Sequence, residues 1–197
     1  MIEHIIIFGA TGDLTARYLL PALAHLYEAD ELPDGIKITG VDRRGWDNDK
    51  NGFRRLVLDS LERFASGISA SARARFVVEV LEYRQADVTN ADSVIEALGT
   101  LDEPVVAYLA LPPAVFAPSI EALKKANLPE GSRIAVEKPF GENLESAEML
   151  NRLLHEWPSP GTAARSPCIS SPCPTSHSRR WAIPAPTCSA SSWDPTG

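Results

Sequence analysis

Residues 5–14, Ile-Ile-Ile-Phe-Gly-Ala-Thr-Gly-Asp-Leu, limit what this chain can become more than any other stretch. The continuous apolar run has the pattern of a strand buried on both faces. It feeds a turn containing Gly9 and Gly12, after which Leu14 opens a helical pattern. The first amides of such a helix have no partner within it and face whatever lies over the turn, so a phosphate suits the position. Gly9 can take positive φ, and Gly12 lets a ligand approach the backbone where a Cβ would obstruct it. The segment therefore reads as a dinucleotide pyrophosphate cradle; the alternative is an ordinary strand-to-helix turn. Thr15 stands where a G-x-x-G-x-x-G pattern would place a third glycine. A carboxylate beside phosphate is repulsive unless turned away, and the structural role open to Asp13 is the helix N-cap.

Helical spacing continues through about Tyr27, interrupted by Pro21, which either kinks the helix or restarts it. Residues 36–41 read as a second strand that ends in Asp42-Arg43-Arg44. The end of this strand meets the adenosine ribose in dinucleotide-binding sheets, where an acid favours the free 2′-hydroxyl of NAD and an arginine accommodates the 2′-phosphate of NADP. Neighbours on a strand point to opposite sides, so Asp42 and Arg43 cannot both face the ribose unless the strand has ended. Two adjacent arginines favour NADP; a solvated charge cluster is the structural alternative.

Further along, residues 53–64 form an amphipathic helix and 66–75 a loop or short helix. Residues 81–88 form a strand with Asp87 and Val88 at its end, and 92–98 a short helix. Residues 105–111 are a buried strand stopped by Pro112-Pro113, 114–126 are helical, 133–141 run from a strand into a turn, and 144–156 are helical. This alternation predicts an α/β fold with a doubly wound, Rossmann-like parallel sheet and right-handed crossovers. Ligands gather at the carboxyl ends of such strands. Four clusters thereby share one rim: residues 9–13, 42–44, 110–112 and 137–139. Lys138 is the only lysine at a strand end there, and as the residue before a proline it is held extended. It reads as a cation near a substrate phosphate or the nicotinamide, or as a solvated turn lysine.

A formal charge of −7 offers no basic face for nucleic acid. No apolar run approaches a membrane span and no leader pattern opens the chain, so the expected location is the cytoplasm. Cys168, Cys173 and Cys188 fall in the last part of the chain with no zinc spacing, and no metal site is expected.

Five separated segments together resemble the glucose-6-phosphate dehydrogenase family: Phe-Gly-Ala-Thr-Gly-Asp-Leu-Thr at 8–15, Leu-Leu-Pro-Ala-Leu at 19–23, Gly-Val-Asp-Arg at 40–43, Tyr-Leu-Ala-Leu-Pro-Pro at 108–113 and Val-Glu-Lys-Pro-Phe-Gly at 136–141. The resemblance covers residues 4–156. It implies that Gly9, Ala10, Thr11, Gly12, Asp13 and Leu14 cradle the NADP pyrophosphate and that Arg43 takes the 2′-phosphate. It further implies that Asp87 and Val88 lie near the adenine, that Ala110, Leu111, Pro112 and Glu137 line the nicotinamide side, and that Lys138 touches both cofactor and sugar phosphate. The implied reaction is oxidation of glucose 6-phosphate to the lactone with formation of NADPH, in the pentose phosphate pathway, by enzymes that are homo-oligomers.

That reaction needs a base for the C1 hydroxyl proton, and a histidine suits the task. The family places its histidine in a second domain, after an Arg-Ile-Asp-His-like segment that does not occur in this chain; His4, His25 and His155 read as structural or surface residues. No catalytic residue is therefore assigned. From Trp157 the chain becomes rich in Pro, Ser, Thr, Ala, Arg and Cys without periodicity. The expected organisation is an NADP-binding domain over 1–156, its sheet incomplete at the C-terminal edge, and a disordered tail over 157–197. The tail reads as a flexible extension or, preferably, as an out-of-frame read of a GC-rich gene. The expectation for the chain alone is cofactor binding without turnover. A non-enzymatic NADP-binding module or pseudogene product is the alternative. A short-chain dehydrogenase is disfavoured, since none of Tyr18, Tyr27, Tyr83 or Tyr108 has a lysine four residues on.

Overall fold

A computed structural model of the chain describes residues 2–45, 51–137, 141 and 143–157. Lys138 and residues 158–197 of the 157–197 tail expected to be disordered lie outside the described residues.

Five strands, β1 (His4–Phe8), β2 (Lys37–Asp42), β3 (Leu81–Gln85), β4 (Val105–Leu109) and β5 (Arg133–Val136), form one parallel sheet in the order β3-β2-β1-β4-β5. Chain order reverses direction beside β1, which places the switch point of the sheet at the end of the apolar run. Among the described residues β5 is the edge beyond β4.

Two apolar layers enclose the sheet. Ile7 and Ile38 face a core built with Leu20 and Ala24 of α1 (Leu20–Glu28), Val57 and Leu61 of α2 (Gly52–Phe64), and Phe76 of α3 (Ala70–Glu79). Ile6, Phe8 and Leu109 face the other core, with Val94 of α4 (Ala91–Leu98), Ile120 and Leu123 of α5 (Phe116–Lys125), and Leu150 of α6 (Leu144–His155). Successive isoleucines of β1 thus bury on opposite faces, which is why the strand reads as an unbroken apolar run.

Of the two readings of Pro21, the structure shows the restart. A π turn over Thr15–Leu19 precedes α1, and Pro21 sits in the first turn of α1, where its missing N–H is harmless. In the small, polar 66–75 segment, residues 66–69 are a loop and 70–75 open the longer helix α3, capped by Ser69, whose hydroxyl accepts from the Ala72 amide at 3.2 Å. Trp157, read from sequence as the first residue of the tail, is buried in the second core, and its Nε1 donates to the Ser132 carbonyl at 3.3 Å.

Candidate functional site

The parallel register brings Phe8 level with Val41 and Leu109, Leu109 level with Val136, and Asp42 level with Gln85. The segments following all five strands therefore emerge along one rim. The clusters at 9–13, 42–44 and 110–112, together with Glu137 and Asp87, all stand there.

At the first turn Gly9 has φ +85° and donates its amide to the Val41 carbonyl at 2.9 Å; the Ala10 amide shares that carbonyl at 3.2 Å. A Cβ on Gly9 would lie 2.3 Å from the Ala110 carbonyl oxygen, so β1 and β4 can approach here only through a glycine. At Gly12 a Cβ would lie 3.1 Å from the Gly9 carbonyl oxygen. The Gly12 amide donates to that same oxygen at 3.0 Å, as does the Thr15 hydroxyl at 2.9 Å. Thr15 is fully buried, and where a third glycine would offer close packing it supplies a hydrogen bond that closes the turn.

The next residue, Thr11, is held from the neighbouring strand. Its amide and hydroxyl both donate to Asp42 Oδ2, at 3.0 and 2.8 Å, while Asp42 Oδ1 accepts from the Arg43 amide at 2.7 Å. Asp42 is therefore occupied as the clamp between the first turn and the second strand. Of the adjacent acid and arginine, the acid faces the turn. Asp13, expected as the N-cap, instead directs its carboxylate along the helix to Arg17 Nε at 2.6 Å and caps nothing. This is the turning away that an anion over the helix start requires.

The amides of Gly9, Ala10, Thr11 and Gly12 are thus spent within the protein. The first helical hydrogen bond runs from the Ala16 amide to the Gly12 carbonyl at 3.0 Å, so the amides of Asp13 and Leu14 precede it and have no helical acceptor.

Beside this turn, residues 43–45 are fixed from β3. The Tyr83 hydroxyl donates to the Arg44 carbonyl at 2.6 Å, and Gln85 Nε2 donates to the Arg43 carbonyl at 3.2 Å. Arg43 is exposed and lines an open groove of about 520 Å³ with Arg84, Gln85, Ala86, Asp87, Ser93, Glu96 and Ala97. Asp87 Oδ1 accepts from the Thr89 hydroxyl at 2.7 Å and amide at 3.0 Å. These bonds first, and the Arg43 guanidinium second, hold its carboxyl below the usual range. Val88 is buried in the second core.

On the opposite flank the Ala110 amide donates to the Phe8 carbonyl at 2.9 Å, fixing the chain as it enters Leu111 and the exposed Pro112. Glu137 is exposed past the end of β5, and its Oε1 accepts from the Tyr108 hydroxyl. Burial first, and then the Glu137 carboxylate, push the Tyr108 phenol up to about 12.

Two features of this rim escaped sequence reasoning. A Cβ on Gly40 would lie 2.8 Å from both the Ala10 Cβ and the Phe53 ring, so Gly40 makes room for the first turn. Tyr108 reads as a plain strand residue, and its partner is distant in sequence.

The chain matches the family described as "Glucose-6-phosphate dehydrogenase, NAD binding domain" over residues 6–160. The chain belongs to the glucose-6-phosphate dehydrogenase family. It is 33% identical over 156 residues to glucose-6-phosphate 1-dehydrogenase of Zymomonas mobilis, covering 76% of this chain and 32% of that protein. To glucose-6-phosphate 1-dehydrogenase 1 of Mycobacterium bovis it is 35% identical over 164 residues, covering 77% and 32% respectively. The crystal structure of the Mycobacterium avium glucose-6-phosphate 1-dehydrogenase superposes with a TM-score of 0.70 at 34% identity, covering 79% of this chain and 34% of that one. A glucose-6-phosphate dehydrogenase solved with its substrate glucose 6-phosphate gives 0.64 at 30% identity, covering 78% and 34%. The chain spans about a third of the length of these relatives. The glucose-6-phosphate dehydrogenase match makes the described rim that of a dinucleotide-binding domain. Among the described residues no helix is long and apolar enough to cross a membrane.

Proposed function

We propose that this domain binds NADP and serves as the cofactor half of a glucose-6-phosphate dehydrogenase. The pyrophosphate rests on the amides of Asp13 and Leu14, above Gly9, Ala10, Thr11 and Gly12, which shape the turn. Arg43 receives the 2′-phosphate, and the groove it shares with Asp87 accommodates the adenosine. The nicotinamide extends past Ala110, Leu111 and Pro112 toward Glu137, and Lys138 meets the sugar phosphate.

The observation that carries this reading is the engagement of Asp42. A carboxylate that already accepts from Thr11 and from the Arg43 amide is a poor acceptor for the free 2′-hydroxyl of NAD, whereas the exposed Arg43 guanidinium suits a 2′-phosphate. Hydride transfer is the chemistry NADP supplies when bound. The described residues of this chain orient the cofactor and select it, and no proton acceptor for the sugar hydroxyl is assigned among them. His4 opens β1 at the far end from the rim, and His25 and His155 lie on α1 and α6.

Titration of the chain with NADPH and NADH tests the reading. NADPH should bind more tightly, and Arg43→Ala should remove most of the difference, about tenfold or more for a lost charge-assisted contact. Equal affinity for the two cofactors, or an unchanged preference in R43A, would refute it. With glucose 6-phosphate and NADP, the 197 residues alone should give no absorbance of NADPH, while a full-length relative does.

A further inference from the structure

We infer that Tyr108 is a positioning residue, holding the Glu137 carboxylate in place for the carboxamide of the bound nicotinamide; this rests on the reading of the rim as an NADP site. In the parallel register Tyr108 lies level with Ile7 on one side and Ala135 on the other. It therefore points to the face of β4 that carries the first core, and packs against that core's edge. Glu137, two residues beyond Ala135, points to the same face just past the strand end.

An exposed glutamate at a strand end samples many rotamers, and ordering it on binding costs side-chain entropy. Tyr108 removes that freedom beforehand. Its ring has two torsions, its position is set by the sheet, and its hydroxyl donates to Glu137 Oε1. Burial and the neighbouring carboxylate keep the phenol protonated, so it remains a donor throughout the neutral range. A phenylalanine would fill the same space against the core; only the hydroxyl reaches Glu137.

With Oε1 engaged, Glu137 presents Oε2 as an acceptor for a two-hydrogen donor. The primary carboxamide of nicotinamide is such a group. Its place follows from the sheet: β5 is two strands from β1, about 10 Å at the usual inter-strand spacing, the span of a ribose and a pyridine ring from a pyrophosphate seated over β1.

The test compares Tyr108→Phe and Glu137→Gln with the unaltered 197-residue chain, using NADPH and 2′,5′-ADP, which carries the 2′-phosphate and lacks the nicotinamide. Y108F should weaken NADPH about three- to tenfold while leaving 2′,5′-ADP affinity unchanged. E137Q, which keeps a carbonyl for Tyr108 but offers an amide donor where an acceptor is needed, should show the same split. A role confined to joining β4 and β5 would shift the urea midpoint without separating the two ligands. Equal losses for both ligands, or an unaltered NADPH affinity in both variants, would overturn the inference. If the unaltered chain binds neither ligand, the NADP reading itself falls and this one with it; if it binds both and the variants show no split, only this one falls.

Discussion

Gly9 and Gly35 provide a matched pair for testing how the first turn is built. Both have positive φ, +85° and +75°, so alanine at either site carries a backbone penalty of about 1–2 kcal/mol. They differ in space. Nothing lies within 4 Å of a Cβ on Gly35, whereas one on Gly9 would lie 2.3 Å from the Ala110 carbonyl oxygen and 3.0 Å from its carbon. The obstacle is backbone, and it is anchored by the 2.9 Å bond from the Ala110 amide to the Phe8 carbonyl. Relief therefore requires β1 and β4 to separate at the switch point, which adds about 1–3 kcal/mol of overpacking. Gly9→Ala should thus cost about 4 kcal/mol and Gly35→Ala about 1 kcal/mol. With a urea slope of about 2 kcal/mol/M, the midpoint should fall by about 2 M in the first and about 0.5 M in the second. NADPH affinity should be lost in G9A and kept in G35A, because only the former moves the amides of Asp13 and Leu14. Equal midpoints in the two variants, or a G9A protein that binds NADPH normally, would show that the close approach of β1 to β4 does not shape the cradle.

Thr11→Val removes the 2.8 Å hydroxyl bond to Asp42 and leaves the amide bond intact. Stability should fall by about 1 kcal/mol, and the preference for NADPH over NADH, measured by titration, should narrow as Asp42 regains an acceptor for a ribose hydroxyl. His4 shares a 2.9 Å hydrogen bond with Thr39, and burial, with help from Lys37 and opposed by Glu82, lowers its pKa below 6.5. The unfolded chain then binds more protons than the folded one once the pH drops below 6.5, so stability is full above that value and declines as pH falls through the lower folded pKa. His4→Gln should flatten this decline in urea midpoints measured above and below pH 6.5.

Much of this architecture is legible in the sequence because the physics is local. The apolar run of β1 announces a strand buried on both sides, and the alternation of strands with amphipathic helices dictates a parallel sheet whose strand ends share a rim. Glycine at position 9 is readable as a positive-φ turn residue, although its reason also lies in Ala110, a hundred residues away. Elsewhere the deciding contacts are long-range. Asp42 beside Arg43 looks like a contest over a ribose; its engagement by Thr11 depends on how β1 and β2 are registered. The Tyr108–Glu137 bond requires β4 and β5 to be neighbours, and Gly40 requires the Phe53 ring to be overhead. Helix α3 is faint because small Ala72 supplies part of its buried stripe, so periodicity is carried mainly by Phe76 and Val77. Trp157 looks like the start of an unpatterned tail, yet its ring is drawn inward by the core and by the Ser132 carbonyl.

The central claim is that linked phosphates sit on the amides of Asp13 and Leu14 while the Arg43 guanidinium holds the phosphorylated ribose. Backbone amide NMR during titration with NADP tests it most directly. The account predicts saturating shifts at Asp13, Leu14 and Arg43, with 2′,5′-ADP reproducing those at Arg43. Shifts clustered at the opposite end of the sheet, around His4 and Lys37, with Asp13 and Leu14 unmoved at saturation, would contradict it.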